Sequence, residues 1–189
     1  MKQIQLENYG QKLRMLQAGA WTSSFTLHEI DDVAQTSPGK IVASLEIPGG
    51  WKESGKIESG GMSWTIQPQG WLSGKRSIID SATNAVVGEI RQFAFRDNEI
   101  EIFGTGFYKI RRFNFFGSQW GILDQFGRTL VHFSPYSMGF RDIFRNQANV
   151  KLVQGVEKQP EIYLVIVSAW YLRIIEARQS AAAAAAGPK

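Results

Sequence analysis

The ten residues FYKIRRFNFF, 107 to 116, are the best candidate in the chain for binding chemistry. Side chains alternate across a β-strand. Lys109 and Arg111 therefore share a face with Phe107 and Phe113, while Tyr108, Ile110 and Arg112 face the other way. With Tyr108 and Ile110 turned to a core, Lys109 and Arg111 become an outer basic stripe. Arg112 then points inward unless a bulge separates it from Arg111. Arg128, in the neighbouring hairpin turn, can join the stripe. Cationic side chains attract phosphate, and a guanidinium can hold it through two hydrogen bonds. Aromatic rings beside them suit a membrane interface. Two other readings use the same residues: a solvated strand face beside core phenylalanines, and a surface for single-stranded nucleic acid, which is disfavoured.

Other chemistry is poorly served. His28 and His132 fall in separate strands without metal-ligand spacing, and there is no Cys. A zinc site, thiol catalysis and a disulfide scaffold are not expected. In GWLSG, 70–74, the serine is misplaced for a nucleophile elbow. GTG, 104–106, precedes FYKI and reads as a hairpin turn rather than a phosphate loop. Asp97, Glu99 and Glu101 could supply paired carboxylates for a hydrolase. Glu99 and Glu101 share one strand face, however, and read as solvent-facing residues with Ile100 and Ile102 inward.

Composition sets the frame. At 43% hydrophobic and 20% charged, the 189 residues describe a globular chain. Twelve Phe, 6 Trp and 19 Gly lean towards β-structure with tight turns. The N-terminus lacks the apolar region of a signal peptide, and Lys2 stands where myristoylation needs glycine. A cytoplasmic protein is expected. The net charge of +4 is mild for a nucleic-acid binder. It is concentrated in residues 104 to 151, where seven Lys/Arg face two Asp.

The elements that must position these residues are mostly strands. Alternating runs occur at Lys12–Leu16, Ser24–Ile30, Lys40–Ile47, Met62–Gln67, Arg76–Asp80 and Ala85–Arg91. They continue at Glu99–Phe103, Gly106–Arg112, Gln119–Asp124, Thr129–Phe133 and Asn149–Val153. Phe93–Arg96 and Phe113–Phe116 are short additional candidates, and Arg141–Asn146 reads as a helical turn. IIDSATNAVVGE (78–89) echoes ILDQFGRTLVHF (122–133) without a gap. Each reads as a hairpin in which Asp80 or Asp124 accepts hydrogen bonds from the turn.

The exception is PEIYLVIVSAWYLRIIEARQ, 160–179. Its apolar run from Ile162 to Ile175 would make a helix of about 21 Å, short of the roughly 30 Å of a hydrocarbon core. Arg173 also lies inside it. A membrane span is therefore disfavoured against a buried core helix. Tyr163, Val165, Val167, Trp170 and Ile174 do not share a face with Leu164, Ile166, Tyr171 and Ile175. A helix that is apolar all round must be enclosed on all sides. In a chain of strands the enclosure is a closed barrel, and a barrel of about a dozen strands needs something to fill it. Leu164, Val167, Trp170, Tyr171 and Ile174 are thus expected to be buried at its centre. Pro160 suits the first turn. EARQSAAAAAA favours helix, and Gly187 with Pro188 stops it.

Many short strands, the hairpin WGILDQFGRTLV preceded by GFYKIRRF, and a closing apolar helix resemble the tubby C-terminal-like superfamily. That group includes the LURP-one-related proteins and the phospholipid scramblases. The resemblance implies a mainly β, closed antiparallel barrel of about twelve strands around a buried hydrophobic C-terminal helix. It implies one domain over residues 1–178, with the central helix at 160–178 and a low-complexity tail at 179–189. It further implies that basic side chains on the barrel surface can meet anionic phospholipid or phosphoinositide head groups, and the alternation on FYKIRRFNFF assigns this role to Lys109, Arg111 and Arg128 in a non-enzymatic, peripheral module. No cofactor or metal is expected. A scramblase-type calcium site is disfavoured, because the segment before the helix, ANVKLVQGVEKQP, carries one acid. The alternatives are a structural or protein-interaction barrel and, more weakly, a carboxylate-based hydrolase.

Overall fold

The computed structural model describes residues 9–18, 23–31, 37–48, 53–70, 74–94, 96–114, 118–136 and 147–187. Twelve strands follow one another in a meander: β1 (Tyr9–Gln17), β2 (Ser24–Ile30), β3 (Ile41–Glu46), β4 (Gly55–Ser59), β5 (Met62–Pro68) and β6 (Lys75–Asp80). The second half is β7 (Val86–Arg91), β8 (Asn98–Ile102), β9 (Gly106–Arg112), β10 (Trp120–Leu123), β11 (Thr129–Pro135) and β12 (Ala148–Val153). Each strand pairs antiparallel with its neighbours in sequence, and β12 closes on β1. Closure removes every sheet edge. A 3-10 turn, Val156–Lys158, then leads into one long helix, α1 (Ile162–Ala186).

The alternating pattern decides which side of each strand looks inward. Leu13, Leu27, Ile57, Ile66, Ile78, Ile90, Ile100, Ile122, Val131 and Val150 are fully buried and face the axis. On the outer wall of β7–β9 stand Glu89, Arg91, Glu99, Glu101 and Lys109. This is the reverse of the apolar-out, polar-in pattern of a barrel that spans a membrane. No helix among the described residues is long and apolar enough to cross one.

The centre is α1. Val167 is 0% exposed and Trp170 and Ile174 are each 5% exposed, as the all-round apolar pattern requires. Leu164 and Tyr171 are equally buried. Trp170 lies 6.0 and 6.2 Å from the rings of Trp120 and Phe133, which stack on each other at 3.7 Å, and meets Phe25 edge-on at 6.3 Å. Hydrogen bonds tie both ends of the plug to strands. Near its start, Tyr163 Oη donates to Gln11 Oε1 at 3.0 Å, and Tyr108 Oη donates to Glu161 Oε1 at 2.7 Å. Near its exit, Asn98 Nδ2 donates to Glu176 Oε1 at 2.7 Å, and Tyr171 Oη donates to the Glu53 carbonyl.

Some details differ from the sequence pattern. β4 has one inward apolar side chain, Ile57, and its polar remainder hides it from a hydrophobic pattern. Pro160 sits in the turn before the helix, with Glu161 as N-cap. The helix runs through the alanines to Ala186 and ends at Gly187, whose φ of 63° suits a residue without a Cβ. The described parts of 93–96 and 113–116 are connections rather than strands. The turn expected at Arg141–Asn146 lies outside the described residues.

The twin hairpins form as expected. Asp80 Oδ1 accepts from the Ala82 and Thr83 amides at 2.8 and 2.9 Å. Asp124 Oδ1 accepts from the Phe126 and Arg128 amides, both at 2.9 Å. The hydrogen bond from Thr83 leads in holding the Asp80 carboxyl below its usual range.

Candidate functional site

Strand β9 carries the predicted alternation. Tyr108 and Ile110 are buried against the plug, and Lys109 and Arg111 face out. The register beside β10 is continuous through Arg112↔Trp120 and Arg111↔Gly121, so no bulge turns Arg112 outward. Arg112 instead leaves the barrel end on the inner side and meets Glu176 of α1 at 2.9 Å.

The three predicted cations do not converge. Arg111 pairs with Asp97 at 2.7 Å. Arg128 pairs with Asp124 inside its own turn, also at 2.7 Å. Lys109 stands opposite Glu99 across the β8–β9 ladder. Burial would raise the Asp124 carboxyl, but the Arg128 amide, the Arg128 guanidinium and the Phe126 amide outweigh it and hold the group low. The other carboxylates are engaged as well. Arg91 meets Glu89 at 3.1 Å, Glu101 at 3.0 Å and Glu99 at 3.8 Å. Hydrogen bonding to Arg91 holds Glu89 below the usual range despite partial burial.

Both histidines belong to the wall. His28 bonds the Gly39 carbonyl at 3.0 Å and Thr26 Oγ1 at 2.8 Å. No three metal-ligating side chains gather among the described residues. His132 has a more informative setting. Its ring stacks on Phe113 at 5.6 Å and lies 6.5 Å from Tyr9. Gly121 makes this possible, because a Cβ there would stand 2.7 Å from the Phe113 ring. Burial, then the nearby charge of Lys151, pushes the His132 pKa down.

His132 marks a row that local patterning does not reveal. Cross-strand register places Arg111, Gly121, His132, Lys151 and Lys12 side by side on β9, β10, β11, β12 and β1. Lys151 Nζ lies 5.6 Å over the Tyr9 ring. Among the described residues, no carboxylate forms an ion pair with Lys12 or Lys151. The row is therefore three cations and an imidazole framed by Phe113 and Tyr9. The sequence signal for it lies only in the pairing of β1 with β12.

A second feature is the rim where the β4–β5, β6–β7, β8–β9 and β10–β11 turns lie. Met62, Val86, Phe103 and Phe126 stand at those four turns, and Ile41 begins β3 beside them. These are the exposed large apolar residues of the described chain, and Phe126 is 74% exposed. The Arg128 guanidinium lies 5.3 Å over the Phe126 ring. The tips of β8–β9 and β10–β11 thus carry apolar side chains at the ends of strands whose outer wall holds part of the cationic row.

No protein-family model and no curated protein matches this sequence. Among solved structures, the chain is similar to the X-ray structure of AT5G01750, a protein from Arabidopsis thaliana. The TM-score is 0.55 at 6% sequence identity, over 89% of this chain and 93% of that one. The two share a closed twelve-stranded barrel with a C-terminal helix, and at this identity the likeness concerns the fold.

Proposed function

We propose that this chain is a non-enzymatic barrel of the tubby-like and LURP-one-related group that docks peripherally on anionic, cytoplasm-facing membrane surfaces. In this reading the row Arg111–His132–Lys151–Lys12 attracts phosphate head groups, and Phe103 and Phe126 dip into the interface. The observation that carries it is the coincidence of both features on adjacent strands: cations on the wall and apolar tips at its end. Exposed aromatic side chains at hairpin tips suit a membrane interface, which needs no matching pocket. The fold likeness agrees with the group but adds nothing on ligand.

The test is vesicle flotation with phosphatidylcholine alone and with added phosphatidylinositol bisphosphate, each at low and high salt. Binding should require the anionic lipid and weaken with salt. Each basic residue near such a surface contributes about 1 kcal/mol. The triple variant Arg111→Ala, Lys151→Ala, Lys12→Ala should therefore lose about 100-fold in affinity. Phe103→Ser with Phe126→Ser should weaken what remains at high salt. Absence of binding at low salt rejects the reading. Binding that survives the triple variant but not Lys109→Ala with Arg128→Ala moves the site to the hairpin side.

A further inference from the structure

The cationic row on the outer wall has an imidazole in its middle. Cross-strand register sets His132 between Lys151 on β12 and Gly121 on β10, with Arg111 next on β9 and Lys12 next on β1. Paired strands stand about 4.8 Å apart. A phosphate that bridges neighbouring side chains of the row therefore meets this ring, and Gly121 places no side chain in its way. The ring is half-buried, stacks on Phe113 at 5.6 Å and lies 6.5 Å from Tyr9. Its nitrogens are less committed than its faces. Neither takes part in a hydrogen bond among the described residues, and neither is a sealed polar atom.

Among the described residues, the charged groups on this face of the wall are cations. Lys151 is the direct neighbour on β12, and Lys12 and Arg14 follow on β1. Arg111, on β9, is held by Asp97 at 2.7 Å, and Arg14 lies 4.0 Å over the Tyr136 ring. The outward neighbours Leu130, Ser134, Asn149 and Val153 carry no charge. No carboxylate forms an ion pair with His132 among the described residues. Burial first, and Lys151 second, therefore work against its charged form. A phosphate seated on Lys151 and Lys12 reverses the sign of that local field and favours the imidazolium, which donates through both nitrogens. An anionic membrane helps further, since a surface potential of about −30 mV concentrates protons roughly three-fold. Docking and protonation thus favour each other by the same factor.

We infer that His132 makes the row proton-sensitive: neutral, it leaves the cations of β9 and β12 apart, and protonated, it joins them into one line that grips anionic head groups more tightly. This rests on the membrane-docking role proposed for the row and adds its regulation. The protein gathers on anionic surfaces as pH falls through the range in which an imidazole changes charge and ordinary carboxylates and lysines do not. The other histidine is no substitute. Both nitrogens of His28 are engaged within the wall, by the Gly39 carbonyl and by Thr26 Oγ1.

The test is flotation of the full chain with vesicles of phosphatidylcholine and phosphatidylglycerol, at about pH 5.5 and about pH 7.5 and constant low salt. Phosphatidylglycerol keeps a single negative charge at both, so the lipid itself does not titrate. One added cation beside an anionic surface is worth about five-fold in affinity, so the parent should bind about five-fold more tightly at the lower pH. His132→Gln should bind at both pH values as the parent does at the higher one. His132→Lys, whose charge is fixed, should bind at the higher pH about as tightly as the parent does at the lower one. A merely structural histidine would not be matched in this way by lysine. Far-ultraviolet circular dichroism at each pH checks that all three chains are folded, and the parent's own pH profile stands if a variant is not. Equal parent binding at the two pH values, a pH dependence that persists in His132→Gln, or His132→Lys binding no more tightly than the parent at the higher pH overturns the inference and leaves membrane docking standing. Absence of binding at both pH values also overturns it, and flotation with phosphatidylinositol bisphosphate then decides whether membrane docking falls too.

Discussion

Ile166→Ala tests the central claim of the architecture, that strands clamp α1 on every side. Ile166 is 0% exposed and lies mid-helix. The substitution removes three carbons, worth about 2.4 kcal/mol of transfer free energy at roughly 0.8 per methylene. The space left behind adds to this. A closed ring of hydrogen-bonded strands cannot collapse inward without breaking its ladder, so the loss should lie high in the usual range, at about 4 kcal/mol. Alanine's better helix propensity returns about 0.4. The net loss is about 3.5 kcal/mol, or a melting temperature lower by roughly 7–14 °C in a domain of this size. Urea titration with unchanged slope, together with calorimetry, reads it. The control is Ala183→Gly in the exposed last turns of the same helix, which should change the denaturation midpoint little, because that end can fray without opening the barrel. A loss below about 1.5 kcal/mol for Ile166→Ala would show a site able to relax, and the picture of a rigid, fully enclosed plug would be wrong.

Three further outcomes follow from single contacts. Gly55→Ala should cost about 1–3 kcal/mol by urea titration, because the new Cβ would stand 3.0 Å from the buried Tyr171 ring. Tyr171→Phe should cost about 1–2 kcal/mol by leaving the Glu53 carbonyl without its donor. Burial leads in raising the Tyr171 pKa to about 12, so the unfolded chain deprotonates first and native stability falls as pH rises from about 10 towards that value. The Phe variant should lose that part of the alkaline decline, which ultraviolet difference absorbance of tyrosinate can follow; an unchanged profile refutes the assignment. His132 should titrate below an ordinary histidine in NMR, and Lys151→Ala should raise its midpoint; no change on removing Lys151 would mean that the two side chains do not face each other.

Much of the barrel was legible because inward and outward residues alternate cleanly. Gly106–Arg112 stands as the pattern draws it. The plug was legible for the opposite reason: its apolar residues favour no face, so only enclosure satisfies them. β4 escaped notice because Gly55, Lys56, Glu58 and Ser59 surround a single Ile57. Its Gly55 is required by the passage of Tyr171, a demand made by the helix and not by the strand. At the site, the alternation on β9 was readable, but the carboxylates that engage its arginines were not. Asp97 and Glu176 come from the connection before β8 and from the helix. The row from Arg111 to Lys12 depends on the closure of β1 against β12, which local pattern does not encode.

The plug also decides where function can reside. In a wide barrel the interior is ordinarily the natural place for a ligand. Here α1 fills it with side chains that stack on the wall, and Trp170 among Phe25, Trp120 and Phe133 leaves the axis occupied. Chemistry is pushed to the outer wall and to the two rims, and these differ in kind. One rim offers hairpin tips with exposed apolar side chains. The other is where a helix bearing Arg173 and Glu176 passes a strand end bearing Arg112, and ion pairs join them. Because α1 runs through both, the two rims are joined by one rigid element, whose start is held by Tyr163 and Gln11.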